Sequence, residues 1–223
     1  MSTVTITHLV FDLDETLYPP ETRLLRVIDQ RIERFLQEKL ALDAEDVTAL
    51  RKEYFHKYGT TLRGVRERHG IDPEEYFSYA YLTGVEEYLT PDPLLRGALE
   101  EIPLPKVVFS NSPKEHVARV LRVLGIDHCF QEVFDLRFSG YLGKPNPFSY
   151  RLLLEALAVK AENCLFFDDQ PANLETAKKM GFWTVLVNKK KKGPADFWIP
   201  DIHRLPAIWR EISGENPGST RGK

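Results

Sequence analysis

Leu9-Val10-Phe11-Asp12-Leu13-Asp14-Glu15-Thr16 runs from apolar residues straight into acids and a hydroxyl. The β-branched and aromatic stretch from Val4 to Phe11 predicts a buried strand, and carboxylates cannot stay inside such a strand without partners. Asp12 and Asp14 therefore belong at its carboxyl edge. In open α/β sheets that edge forms the crevice in which ligands bind.

The same pattern recurs along the chain. Lys106-Val107-Val108-Phe109 predicts a second strand, which ends on Ser110-Asn111-Ser112 and is followed by Pro113. Ser112 is placed to cap a helix with Pro113 as its first residue and Glu115 as its third, leaving backbone N–H groups near Ser110 free for an anion. Gly143-Lys144-Pro145-Asn146-Pro147 sets a lysine ahead of a further helix. Cys164-Leu165-Phe166-Phe167 reads as another buried strand, closing on Asp168-Asp169. Strands near Lys106, Val133, Cys164 and Thr184 join the first one in an α/β fold, a doubly wound parallel sheet.

Between the first two strands the period is helical. Leu24, Val27, Ile28, Ile32, Phe35 and Leu36 recur at three- and four-residue steps, and a second helix from Ala44 carries Val47, Leu50, Tyr54 and Tyr58. Asp72-Pro73-Glu74-Glu75 opens a third, and Asp92-Pro93 starts the helix that returns to the sheet. The expected organisation is a core of residues 1–16 and 91–213, a helical insert of residues 17–90, and a polar, disordered tail from Gly214 to Lys223.

Two anionic groups about 4 Å apart repel by roughly 4 kcal/mol at an effective dielectric near 20, so Asp12, Asp14, Asp168 and Asp169 cannot converge unaided. Hard carboxylate oxygens with no His or Cys cluster beside them favour Mg²⁺, which shares its shell with waters and a substrate phosphate. Lys144 neutralises further charge. Singly, each residue has an ordinary reading as a turn former, helix cap or surface lysine. Those readings leave the ordered set unexplained.

Taken together, Asp12-x-Asp14-x-Thr16, Ser110 at a strand end, Lys144, and Asp168-Asp169 with Asn173 beyond resemble the motifs of the haloacid dehalogenase-like (HAD) phosphohydrolases, over nearly the whole chain. The resemblance implies that Asp12 is a nucleophile forming an aspartyl-phosphate and Asp14 the general acid, then base. It implies that Ser110 holds the phosphate with Thr16 and Asn111 nearby, and that Lys144 stabilises charge. Mg²⁺ is implied on Asp12, the Asp14 backbone carbonyl and an acid of the last pair, Asp169 being preferred and Asp168 acting directly or through a water.

A helical insert directly after the nucleophile is similar to the C1-type cap of that superfamily. Lys57-Tyr58-Gly59-Thr60-Thr61-Leu62-Arg63-Gly64 and Asp14-Glu15-Thr16-Leu17-Tyr18-Pro19 resemble its pyrimidine 5′-nucleotidase-like branch. Gly59 and Gly64 suggest a loop that brings Thr60, Thr61 and Arg63 close to a small molecule. Most cap aromatics read as core, although Tyr54, Tyr58, Phe77, Tyr79 or Tyr81 could stack on a base. His116 reads as a helix-surface residue, with substrate contact as the alternative, and Lys189 to Lys192 read as a solvated loop.

Composition adds bounds. A formal charge of −3 with 28% charged residues gives no reason to expect nucleic acid. No stretch has the length and apolarity of a membrane span, the first residues lack the plan of a secretion signal, and Cys129 and Cys164 lack metal-ligand spacing. A cytoplasmic protein with reduced thiols is expected, its partner a small phosphate ester; nothing sets an oligomeric state. Competing functions are a sugar-phosphate phosphatase, a non-enzymatic receiver-like domain and a haloalkanoic-acid dehalogenase. Receiver domains lack a helical insert and place their acid pair before the lysine, and dehalogenases of the superfamily lack the second acid.

Overall fold

The computed structural model describes residues 5–81, 84–189 and 193–214. Strands β1 (His8–Phe11), β2 (Lys106–Phe109), β3 (Glu132–Phe134), β4 (Cys164–Asp168), β5 (Trp183–Val187) and β6 (Phe197–Ile199) form one sheet, in the order β3-β2-β1-β4-β5-β6. Every neighbouring pair is parallel. From β1 the chain moves outward through β2 to β3, then crosses to β4 on the other side. β1 is thus the switch point, and the crevice opens above its carboxyl end.

Alternation along the strands sorts the core into two faces. Leu9, Phe11, Val108, Leu165, Phe167 and Val185 point to one side, where α5 (Pro93–Glu100), α6 (Lys114–Leu124) and α9 (Leu205–Ser213) cover them. Val10, Val107, Phe109, Phe166 and Leu186 point to the other, under α7 (Pro147–Leu157) and α8 (Pro171–Lys179). β6 went unread in the sequence because three residues at a sheet edge carry too little periodicity. The first strand is also shorter than expected: it starts at His8, and Thr7 N–H is already engaged with Asn163 C=O at 2.8 Å.

The insert is built from α1 (Leu24–Leu40), α2 (Ala44–Tyr58), α3 (Thr61–His69) and α4 (Pro73–Ala80). Asp43, Thr60 and Asp72 cap α2, α3 and α4 through their side chains. Its apolar face joins the core on the side of Leu9 and Phe11. Arg137 Nη2 meets Glu74 Oε2 at 2.6 Å, and Arg66 Nη1 donates to Gly140 C=O at 3.0 Å. The tail beyond Gly214 lies outside the described residues, and among those described no helix is long and apolar enough to cross a membrane.

Thr60 to Arg63 are not a loop. Thr60 accepts from Arg63 N–H at 3.2 Å and starts α3. Gly59 ends α2 at φ +85°, where a Cβ would lie 2.9 Å from Pro145 Cδ, so glycine there lets the insert touch the Lys144-Pro145 segment. Gly64 lies within α3, and a Cβ on it would fall 2.3 Å from Tyr54 Cγ. The glycines thus serve close packing of backbone, not loop mobility.

Gly64→Ala separates two opposing effects. Helix propensity favours alanine by about 1 kcal/mol, whereas overpacking against the base of a tyrosine side chain costs about 1–3 kcal/mol. A net loss of stability in denaturant unfolding is expected. A variant more stable than the wild type would show that α2 and α3 can part without cost.

Candidate active site

Parallel pairing in the register Phe11↔Phe167 leaves Asp12 and Asp168 as the next residues on adjoining strands, and Asp12 N–H donates to Phe167 C=O at 2.8 Å. Adjacent strands lie about 4.8 Å apart, so the two carboxylates cannot separate. Lys144 enters between them. Its Nζ donates to Asp12 Oδ1 and Asp168 Oδ2, each at 2.7 Å, with the rings of Phe109 and Phe166 at 5.4 and 5.3 Å. The lysine is 1% exposed. Burial works to lower its pKa, but Asp12 and Asp168 outweigh burial and leave it raised, so the ammonium stays charged.

The lysine is aimed by its backbone. Asn111 Oδ1 accepts from Lys144 N–H at 2.8 Å, and Asn111 Nδ2 donates to Lys144 C=O at 2.9 Å. Gly143, at φ +62°, allows this clamp, since a Cβ there would lie 2.7 Å from Asn111 Oδ1.

Asp168 has little capacity left. Asn173 Nδ2 donates to both its oxygens at 3.0 Å, and Gln170 N–H to Oδ1 at 2.8 Å. On Asp169, Oδ2 accepts from Gln170 Nε2 at 2.7 Å and Lys189 Nζ at 2.9 Å. Burial, then the Asp168 charge, push the Asp169 carboxyl up to about 6 against the pull of Lys189. Asp12 is raised well above its ordinary range, by burial first and then by Asp168, Asp169 and Asp14, with Lys144 opposing. Negative charge is therefore in excess despite two lysines. Asp12, Asp168 and Asp169 each present an oxygen within 4.8 Å of the others, and this all-oxygen set fits Mg²⁺.

Asp14 lies outside that set because its carboxylate is otherwise engaged. Tyr18 Oη donates to Oδ1 at 2.5 Å, His116 Nε2 meets the same oxygen at 3.1 Å, and Ser112 Oγ donates to Oδ2. Burial works to raise the Asp14 pKa, but the His116 charge and the hydrogen bonds from His116, Ser112 and Tyr18 prevail and lower it. The insert reaches this group too: Tyr81 Oη lies 3.2 Å from Ser112 Oγ, and its ring packs edge-on to His116 at 4.9 Å.

Several expectations change. Ser112 does not cap α6; a buried carboxylate is the stronger partner for its hydroxyl, and Asp135 Oδ2 takes the Lys114 N–H at 3.0 Å instead. His116 is no surface residue, being 3% exposed. Lys189 is drawn out of the supposed solvated run by Asp169; Lys190 to Lys192 lie outside the described residues. Thr16 is fully buried, its Oγ1 donating to Asp12 Oδ2 at 3.3 Å, so it steadies the aspartate from behind.

A cavity of about 570 Å³ stands over the strand ends, with Asp12, Asp14, Ser110, Asn111, Lys144 and Asp169 in its floor and Thr60 and Thr61 in its wall. Ser110 Oγ accepts from Ser112 N–H at 3.0 Å. Arg63 is not part of the wall: its Nε donates to Glu67 Oε1 at 2.9 Å, one turn along α3, which draws the guanidinium aside. Tyr18 and Lys189 are residues of the site that sequence reasoning missed, Ser112 was placed only as a helix cap, and for His116 a role at the site was the alternative to a surface position.

The haloacid dehalogenase-like hydrolase family matches residues 6–181. Phosphate metabolism protein 8 of Saccharomyces cerevisiae is 26% identical over 227 residues, covering 89% of this chain and 71% of the yeast protein. The L-2-haloacid dehalogenase of Xanthobacter autotrophicus, solved with chloropropionic acid covalently bound, shares the fold at a TM-score of 0.59 and 19% identity, over 92% of this chain and 99% of that one. A HAD phosphatase from Thermococcus onnurineus also reaches 0.59, at 21% identity over 92% and 98%. Likeness of fold therefore does not separate the two reactions. With the match spanning most of the sequence and the motif residues meeting at one sheet edge, this chain belongs to the haloacid dehalogenase-like hydrolases.

Proposed function

We propose that this chain is a Mg²⁺-dependent phosphomonoester hydrolase working through a phosphoryl group on Asp12, with pyrimidine nucleoside 5′-monophosphates as its substrates. The observation that carries the reading is the second acid, Asp14, buried in the cavity floor and held by Tyr18, Ser112 and His116. A departing halide needs no proton, whereas a departing alkoxide does. A site that surrounds a second carboxyl with donors is equipped for the alkoxide.

Asp12 forms the bond to phosphorus as the ester P–O bond breaks, and the leaving oxygen takes a proton from Asp14. Water then attacks the phosphoryl-aspartate while giving its proton to Asp14, which releases phosphate and restores the Asp12 carboxylate. Asp14 is ionised in the ligand-free protein, and a phosphate dianion arriving beside it raises its pKa and loads the proton. Lys144 offsets charge on the transferring group. Asp12, Asp169 and the Asp14 backbone carbonyl would hold Mg²⁺, with Asp168 steadying Lys144, and the ion would supply positive charge to the site.

The pyrimidine reading draws support from the resemblance of the Tyr58-to-Gly64 segment and from the cap aromatics Tyr76, Phe77 and Tyr81 in the cavity wall. Thr60 and Thr61 stay candidates for leaving-group contact; Arg63 reaches a ligand only if its link to Glu67 opens.

Asp12→Asn should lower phosphate release from UMP by about 10⁴-fold or more, on the scale of losing a covalent nucleophile, with an unchanged melting curve. Excess chelator should abolish wild-type activity and added Mg²⁺ should restore it; full activity in chelator would defeat the metal assignment.

His116→Ala should slow alkyl phosphates by about 10–100-fold, out of the roughly 10²–10⁴ that general acid catalysis contributes. It should affect p-nitrophenyl phosphate much less, because that leaving group departs without a proton. Equal slowing of both esters would mean that His116 supports only the fold.

A further inference from the structure

The far side of the cavity carries charge that phosphoryl transfer does not use. Asp29 and Glu33 lie one turn apart on α1 and face Arg51 of α2. Arg51 Nη1 donates to Glu33 Oε1 at 2.7 Å, and Nη2 donates to Asp29 Oδ1. These residues border the same cavity as Asp12 and Asp14. Arg51 is 17% exposed, and among the described residues its buried Nε has no hydrogen-bond partner.

Asp29 sits in an unusual setting. Its side chain is 46% exposed, and burial raises its carboxyl pKa, with Arg51 opposing and the charges of Glu33 and then Asp14 adding to the rise. Asp29 is thus an accessible carboxylate that borders the cavity. Charges so placed gain little for stability, since a well-packed apolar set of similar volume is often as stable. They make sense where a ligand completes their hydrogen bonding.

We propose that Asp29 and Arg51 read the leaving group of the phosphate ester, the carboxylate accepting from an N–H or O–H and the guanidinium donating to an adjacent carbonyl or hydroxyl oxygen. Asp29 and Glu33 against Arg51 and the bordering Lys52 sum to no net charge, so the ligand is an uncharged polar group, not a second anion. Phe55, 55% exposed at this end, and Tyr76 offer ring faces that favour a planar heterocycle such as a pyrimidine, whose donor stands next to its acceptor. A cavity of about 570 Å³ suits a molecule of that size. This inference rests on the phosphatase reading of the floor.

The test measures kcat/KM for UMP, glucose 6-phosphate and p-nitrophenyl phosphate in the full chain and in Asp29→Asn, Arg51→Lys and Arg34→Ala. Arg34 pairs with Glu38 on the exposed side of α1 and serves as control. For the polar ester that the wild type prefers, selectivity over p-nitrophenyl phosphate should fall about tenfold in the first two variants, through KM, as expected for one lost hydrogen bond to a charged group. Arg34→Ala should keep the wild-type ratio. Preference for UMP identifies a nucleobase; preference for glucose 6-phosphate identifies a polyol and removes the nucleotidase reading while the subsite stands. Unchanged ratios in folded Asp29→Asn and Arg51→Lys overturn the subsite. Should those variants not fold, competition between the dephosphorylated product and p-nitrophenyl phosphate in the wild type decides: competition supports the subsite and its absence overturns it. Failure of the wild type to release phosphate from any of the three esters defeats the phosphatase reading itself.

Discussion

One buried ammonium, Lys144 Nζ, lets the ends of β1 and β4 carry acids side by side. The strand register fixes Asp12 next to Asp168, and no rotation of either strand relieves their repulsion. Without the lysine, one of these carboxylates must take up a proton or the edge must open; removing one partner of a buried pair costs about 3–5 kcal/mol. Much of the neighbourhood is explained by the need to hold that group. Asn111 clamps the lysine backbone, Gly143 makes room for Asn111, and Gly59 lets the insert approach Pro145 behind them. In the proposed reaction the same ammonium offsets charge beside Asp12, so stability and chemistry would draw on one charge.

The floor of the site was legible in the sequence because its signal is local. Each contributing strand is a short apolar run that stops on a polar residue, and the ends of parallel strands share one edge. Two partners of Asp14 were illegible for the opposite reason: Ser112 and His116 lie about a hundred residues away and meet it only after α6 docks, whereas Tyr18 is four residues along the same segment. A weak signal existed. His116 lies one residue before Val117 and four before Val120 on the buried stripe of α6, and a polar residue on an apolar face requires a partner. Lys189 was hidden by the lysines beside it. The glycines at 59 and 64 were read as marks of a loop, but the contacts that demand them are with Pro145 and Tyr54, distant in sequence or hidden within the helix pair.

Floor and roof of the cavity follow different physical rules. The floor is packed and nearly unexposed, with its carboxylates held by hydrogen bonds, which suits the proposed phosphoryl transfer. The roof is half accessible and mixed in charge, suited to discrimination among leaving groups. Tyr81 links the two, since the hydroxyl it approaches belongs to Ser112, which in turn holds Asp14. Placement of the insert over the sheet thereby bears on the orientation of the second acid.

In the proposed reaction Asp12 itself takes the phosphoryl group. Rapid acid quench during turnover of a phosphate-labelled ester, followed by peptide mapping, tests it most directly. The account predicts label on the peptide that contains Asp12, stable to acid and released by hydroxylamine, as expected of an acyl phosphate. Turnover with no label on the protein, or with label on another residue, would contradict it.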